Sequence, residues 1–152
     1  MPSPVHIRLS REIPAQRDAA YAWLTDFQDS DVDRADAVIE MRKVIERSPT
    51  RIVYEGEQVV LGRRSTGTSE VTLHPPDRWE AKVIAGPRTG SFTHYRLVPV
   101  GSGASRLTVD YNLIINDPQR HFLLRLAKPL VKRELSKMWD GFEAAMRKEL
   151  HR

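Results

Sequence analysis

The chain has no cysteine. That excludes a disulfide framework, a thiol nucleophile and any thiolate-bound metal. It also lacks an apolar run near the roughly 20 residues that a membrane-spanning helix requires. The longest candidate, FLLRLAKPLV at 122–131, is short and carries two positive charges. The opening MPSPVHIRLSREIP has no basic stretch followed by an apolar one, so no secretory leader is expected. A reducing cytoplasm is the expected location. The five histidines (6, 74, 94, 121 and 151) are scattered without metal-ligand spacing, so no metal is expected and most should lie on the surface. GRRSTGTS at 62–69 lacks the lysine of a phosphate-binding loop, and no helix follows it. GSG at 101–103 reads as a hairpin turn. No cofactor is therefore expected.

What is present suits one folded domain spanning 1–152, long enough to bury about 68–70% of its unfolded surface. The net charge of +4 is unevenly placed. Residues 118–152 hold nine Lys/Arg against four Asp/Glu, while the other 117 residues hold 15 against 16. A nucleic-acid face is not expected, because the basic residues lie on a helix without exposed aromatics beside them. Arg125, Lys128 and Lys132 flank Leu123, Leu126 and Leu130. Segment 120–133 therefore has two readings: transient contact with an anionic membrane surface, or a helix closing one end of the fold with its charges in water.

VHIRLSREI alternates Val5, Ile7 and Leu9 with polar residues, the signature of a half-buried strand. Ala20, Trp23, Leu24 and Phe27 then recur at helical spacing. The acid-rich 29–36 stretch reads as a loop or short turn. From 37 to 116, runs rich in Val, Ile, Thr, Tyr and Trp alternate with turn signals such as HPPD and AGPRTG. Six strands fit, at 37–47, 51–61, 64–73, 78–85, 91–99 and 105–116, with hairpin-length links that imply an antiparallel sheet. Asp117-Pro118 is a helix start. One helix to about residue 150 is expected, kinked at Pro129, with Leu135, Met138, Phe142, Ala145 and Met146 as its apolar stripe. A seven-stranded sheet and a long amphipathic helix should bury one another.

Three stretches give this order a family resemblance: the first strand followed by IPAQRDAAYAWLTDF, the hairpin YRLVPVGSGASRLTVDYNL, and the terminal LLRLAKPLVKRELSKMWDGFEAAMRKEL. Together they resemble the START-like superfamily, also called SRPBCC or helix-grip. That group includes polyketide cyclase/dehydrase-like proteins, plant allergen-type ligand binders and coenzyme Q-binding proteins. The resemblance implies an α+β helix-grip fold, a curved seven-stranded antiparallel sheet wrapped around the C-terminal helix. It also implies a cavity between them for a hydrophobic small molecule.

The two-residue period orients the strands. It turns Leu107, Val109, Tyr111 and Leu113 inward, with Thr93, Tyr95 and Leu97 beside them and His94 and Asp110 in contact on the outer face. It turns Trp79 and Ala81 inward, along with Ser65, Gly67, Ser69, Tyr54, Gly56 and Gln58. In the second strand it turns Ile39, Met41 and Ile45 inward, and with them Lys43, a candidate buried base. Small inner residues such as Gly67, Ser69 and Ala81 should leave room. The expected ligand-binding residues are Tyr54, Gln58, Ser69, Trp79, Thr93, Tyr95, Tyr111, Trp139 and Phe142. The first functional expectation is a soluble carrier for a lipid, quinone or polyketide-like molecule. The alternatives are a cofactor-independent cyclase/dehydratase using the same cavity and a chaperone-assisting interaction module. No matched acid–base pair is visible, so no catalytic residue is named.

Overall fold

The computed structural model describes residues 3–26, 39–60 and 63–150; of 39–42, 58–60 and 63 only the backbone is described. Phe27 and the 29–36 stretch thus lie outside the described residues, as do the side chains of Ile39, Met41 and Gln58. Seven strands form one antiparallel sheet: β1 (Val5–Ile13), β2 (Ile39–Arg47), β3 (Arg51–Val60), β4 (Arg63–His74), β5 (Arg78–Ala85), β6 (Phe92–Val100) and β7 (Ala104–Leu113). Their order is β1-β7-β6-β5-β4-β3-β2, so the first strand closes against the last and β1 and β2 are the edges. Three helices complete the fold: α1 (Arg17–Leu24), α2 (Pro118–Leu126) and α3 (Lys128–Leu150). This is the expected curved sheet and long C-terminal helix.

The helical end is two helices rather than one kinked rod. Asp117 caps α2, its carboxylate accepting from Gln119 N and Arg120 N. The helix stops at Ala127, and α3 begins with Lys128 and Pro129. Proline has no N–H to give to the preceding turn. It is tolerated at the start of a new helix, so the sequence breaks just before it.

Alternation places β1, β6 and β7 as expected. Ile7, Leu97, Leu107 and Val109 are buried in the core, while Phe92, His94 and Arg96 are exposed. β2 departs from expectation. Lys43 and Ile45 are exposed, and Val44 is the residue packed on the core. The cause is a register shift between Ile39 and Met41, which puts Val44 opposite Tyr54 and Lys43 opposite Glu55. One extra residue moves every later side chain to the other face. Lys43 is therefore not a buried base. A second shift follows at Val44/Glu46.

The outer face is laced with charge. Arg8 and His6 both reach Asp110, at 2.7 and 2.9 Å. Asp110 is thus held by β1, and His94, expected to contact it, turns to Glu80 at 3.3 Å. Arg51 joins Glu46 and Glu70. Arg11 ties the β1 edge to α3 through Asp140 (2.6 Å) and the carbonyl of Ser136 (3.3 Å).

Candidate functional site

Seen from α3, the concave face of the sheet divides in two. On β1 and β7, Val5, Ile7, Leu9, Leu107, Val109 and Leu113 are all buried. On β3–β5 and the start of β6, the inward-facing Tyr54, Ser69, Ala81, Val83, Thr93 and Tyr95 remain half-accessible. The inner wall is solid along one side, and along the other it mixes the buried Ile52, Val71 and Trp79 with these positions that a water-sized molecule reaches.

Aromatic side chains bridge the helix and the sheet. Trp79 and Tyr95 stack with centroids 4.8 Å apart and planes 6° from parallel. Tyr21 of α1 meets Trp79 edge-on at 5.5 Å, and its hydroxyl donates to the Arg78 carbonyl at 3.0 Å. Trp139 of α3 lies 6.3 Å from Tyr95 and 5.3 Å from Phe142. The Trp139 indole N–H donates to the Tyr111 hydroxyl at 2.7 Å, a buried bond. Burial pushes the Tyr111 phenol above its ordinary pKa, while the Trp139 hydrogen bond pulls the other way. Desolvation wins because it penalises the phenolate outright. Tyr111 is therefore a neutral hydroxyl with its proton free to donate.

α1 packs over one end of this arrangement. Trp23 meets Phe142 edge-on at 6.3 Å, and its indole N–H donates to Glu149. Ala20 is fully enclosed, Tyr21 and Trp23 are buried, and Leu24 is packed on the core.

Of the nine expected ligand-binding residues, the structure gathers Trp79, Thr93, Tyr95, Tyr111, Trp139 and Phe142 around one inner surface, with Tyr54 and Ser69 farther along it. Gln58 is on β3, with its side chain outside the described residues. Gly67 does not leave room. A Cβ there would meet the Ala85 carbonyl at 2.8 Å, so its small size serves a close strand approach. Gly86 has φ of +104°, and its own Cβ would fall 2.5 Å from the Thr66 carbonyl. The pair pins the start of the β5–β6 loop against β4.

Sequence reasoning missed two polar residues. His121, expected at the surface, is buried. Its Nδ1 accepts from Ile115 N (3.2 Å) and its Nε2 donates to the Ser3 carbonyl (2.8 Å), so it is a structural tie. Arg88, in the β5–β6 loop, reaches inward. Its electrostatic neighbours are Tyr54, Tyr111 and Tyr95, and burial lowers its pKa from the ordinary value. Loop residues carry no periodicity, so no sequence signal pointed to it. Among the described residues no group of three His, Asp or Glu side chains could hold a metal ion.

A different surface lies on α2 and the first turn of α3. Phe122, Leu123, Leu126 and Leu130 are 56–64% exposed. Pro118, Gln119, Phe122 and Leu123 line a shallow depression of about 460 Å³. The basic segment does carry an exposed aromatic, Phe122, contrary to expectation. Among the described residues no helix is long and apolar enough to cross a membrane.

Residues 4–147 match the family model described as polyketide cyclase / dehydrase and lipid transport. No curated protein matches. Several solved structures share the fold. The Zhui aromatase/cyclase from Streptomyces sp. R1128 is 16% identical with a TM-score of 0.75, covering 96% of this chain and 95% of that one. A START superfamily protein from Mycobacterium smegmatis is 15% identical with a TM-score of 0.75, covering 93% and 98%. Norcoclaurine synthase from Thalictrum flavum, solved with dopamine and hydroxybenzaldehyde, is 14% identical with a TM-score of 0.68, covering 96% and 89%.

Proposed function

Because the chain belongs to the polyketide cyclase / dehydrase and lipid transport family, we propose that it binds and carries a hydrophobic small molecule between the concave face of β3–β6 and α3. A lipid, a quinone or a polyketide-like compound has the right character. The observation that carries this reading is the half-accessibility of Ser69, Ala81, Val83 and Thr93, which face the helix yet are not sealed by it. Apolar walls with a few convergent hydroxyls are the usual composition of a small-molecule site. The test is titration with N-phenyl-1-naphthylamine, a neutral apolar fluorophore, beside native mass spectrometry of the protein as purified. Saturable enhancement, lost in Ala81→Trp with the fold retained, is the expected result. An empty protein that also fails to enhance the probe would sink the carrier idea.

A cyclase/dehydratase working in the same space would need a base as well as a donor. The phenols of Tyr54, Tyr95 and Tyr111 supply donors, and Tyr111 holds its proton more tightly than a free phenol. The carrier reading needs no proton acceptor and is preferred.

A separate observation supports docking on an anionic lipid bilayer. The exposed Phe122, Leu123, Leu126 and Leu130 sit among the exposed Arg125, Lys128, Lys132 and Arg133. Residues 118–133 contain no acid. A second copy docking through the same face about a two-fold axis would set these cations against their own images. A bilayer with anionic headgroups accepts both the leucines and the charge. Co-sedimentation with phosphatidylcholine vesicles containing phosphatidylglycerol should weaken as salt rises and vanish in Leu126→Glu/Leu130→Glu. Failure to bind at low salt rejects the docking.

A further inference from the structure

One row of side chains crosses the concave face at right angles to the strands. Register pairs Ile7 with Tyr111, Tyr111 with Thr93, Thr93 with Ala81, Ala81 with Val71 and Val71 with Ile52. Both ends of the row are large and closed, since Ile7, Val71 and Ile52 are buried. Its middle is small and open, since Thr93 and Ala81 are half-accessible. Strands lie about 4.8 Å apart, so two small neighbours leave a dip roughly 10 Å across. The stacked rings of Trp79 and Tyr95, two residues along the same strands, border that dip.

Tyr111 stands at its rim. The side chain is buried, and its hydroxyl accepts the Trp139 indole N–H at 2.7 Å. A phenol hydroxyl also has one proton to give. Among the described residues that proton has no acceptor. Buried donors are nearly always paired, so one left over calls for a partner from outside the chain. Accepting from Trp139 also makes the hydroxyl a better donor, because hydrogen bonds in a chain polarise one another. Ile7, on one side of Tyr111, is sealed, whereas Thr93, on the other, is accessible. An incoming molecule meets the hydroxyl from the Thr93 side.

We propose that Tyr111 sets ligand specificity by donating its hydroxyl proton to a carbonyl oxygen on a neutral ligand whose body lies over Thr93 and Ala81. A carbonyl oxygen is a strong acceptor with no charge to desolvate, which suits one neutral donor among apolar neighbours. Trp139 is a positioning residue, because its N–H fixes where the hydroxyl sits. The inference rests on the pocket reading above and deepens it by naming the group on the ligand that is recognised.

The test displaces N-phenyl-1-naphthylamine with fluorenone and with fluorene, which share a three-ring frame and differ in a carbonyl against a methylene. The readout is the ratio of their dissociation constants, fluorene over fluorenone. That ratio should fall about three- to tenfold from the parent to Tyr111→Phe, the scale of one neutral hydrogen bond. The infrared carbonyl stretch of bound fluorenone should lie lower in the parent than in the variant, a signature that a merely structural hydroxyl would not give. An unchanged far-UV spectrum establishes that the variant folds. A ratio that Tyr111→Phe leaves unchanged, or a stretch equal in the two proteins, overturns the donor and leaves the pocket standing. Should the variant not fold, the parent decides alone, and a bound stretch at the value found in hexane overturns the donor. Absence of fluorophore binding overturns the pocket reading itself.

Discussion

Two halves of one sheet face the same helix and end differently. Along β1 and β7 the inward side chains are Val, Ile, Leu and Tyr111, packed in the core and closed to water. Along β3–β5 the buried Ile52, Val71 and Trp79 stand beside Tyr54, Ser69, Ala81 and Val83, which remain half-accessible. The alternation of strand residues is the same in both. The difference is volume. Large branched side chains fill the space throughout on one side, while on the other they do so at Ile52 and Val71, and the smaller Ser69 and Ala81 beside them stay half-accessible. The packed half contributes the larger share of stability.

That contrast can be broken most forcefully from the packed side. Leu107→Ala removes a fully buried side chain and should cost about 2–5 kcal/mol in urea unfolding. Val83→Ala on the open side should cost under about 1 kcal/mol, because little cavity is created there. Equal costs would mean that the two halves are packed alike. Next in size, Tyr111→Phe at the border between the halves strips the Trp139 N–H of its acceptor and should cost about 1–3 kcal/mol. It also carries a pH signature. The Tyr111 phenol ionises near pH 10 in the unfolded chain and only at higher pH in the folded one, so folding stability falls as pH rises above about 10. The phenylalanine variant should lack that contribution to alkaline unfolding.

A gentler comparison adds volume instead of removing it. Ala20→Val, at a fully enclosed site, should cost about 1–3 kcal/mol by overpacking, whereas Ala81→Val on the open wall should cost less than about 0.5 kcal/mol. A cost at Ala81 matching that at Ala20 would show the open wall to be filled. Smallest of all, Asp110→Asn on the outer face should cost at most about 1 kcal/mol at pH 7, the usual ceiling for an exposed pair. The Arg8 hydrogen bond holds the Asp110 carboxyl below its ordinary pKa. That stabilisation is present above the unfolded-state value of 3.8 and is lost as pH falls below it, so the difference between variant and parent should close in acid.

Much of this was legible in the residues. The strict alternation of β6 and β7 gave the inner wall, and the stripe from Leu135 to Met146 gave the helix face. β2 was not legible, because a period of two cannot see the extra residue between Ile39 and Met41 that turns Lys43 outward. Gly67 was misread, since smallness in a strand signals a close backbone as readily as an empty space. Arg88 and His121 escaped for another reason. One sits in a loop and the other at the start of a helix, and each has a neighbour distant in sequence (Tyr111 for the arginine, Ser3 for the histidine). Only the assembled fold brings those groups together.

The shifted register of β2 has an effect beyond Lys43. β2 is an edge strand, and an open edge invites pairing with another copy, the first step toward aggregation. Here the edge is interrupted by irregular pairing at two points and bears exposed Lys43, Glu46 and Arg47. A strand arriving from a second molecule would find neither an even ladder nor an uncharged rim. The molecule can keep one inner face accessible to a small guest while its edge discourages addition of a strand from its own kind.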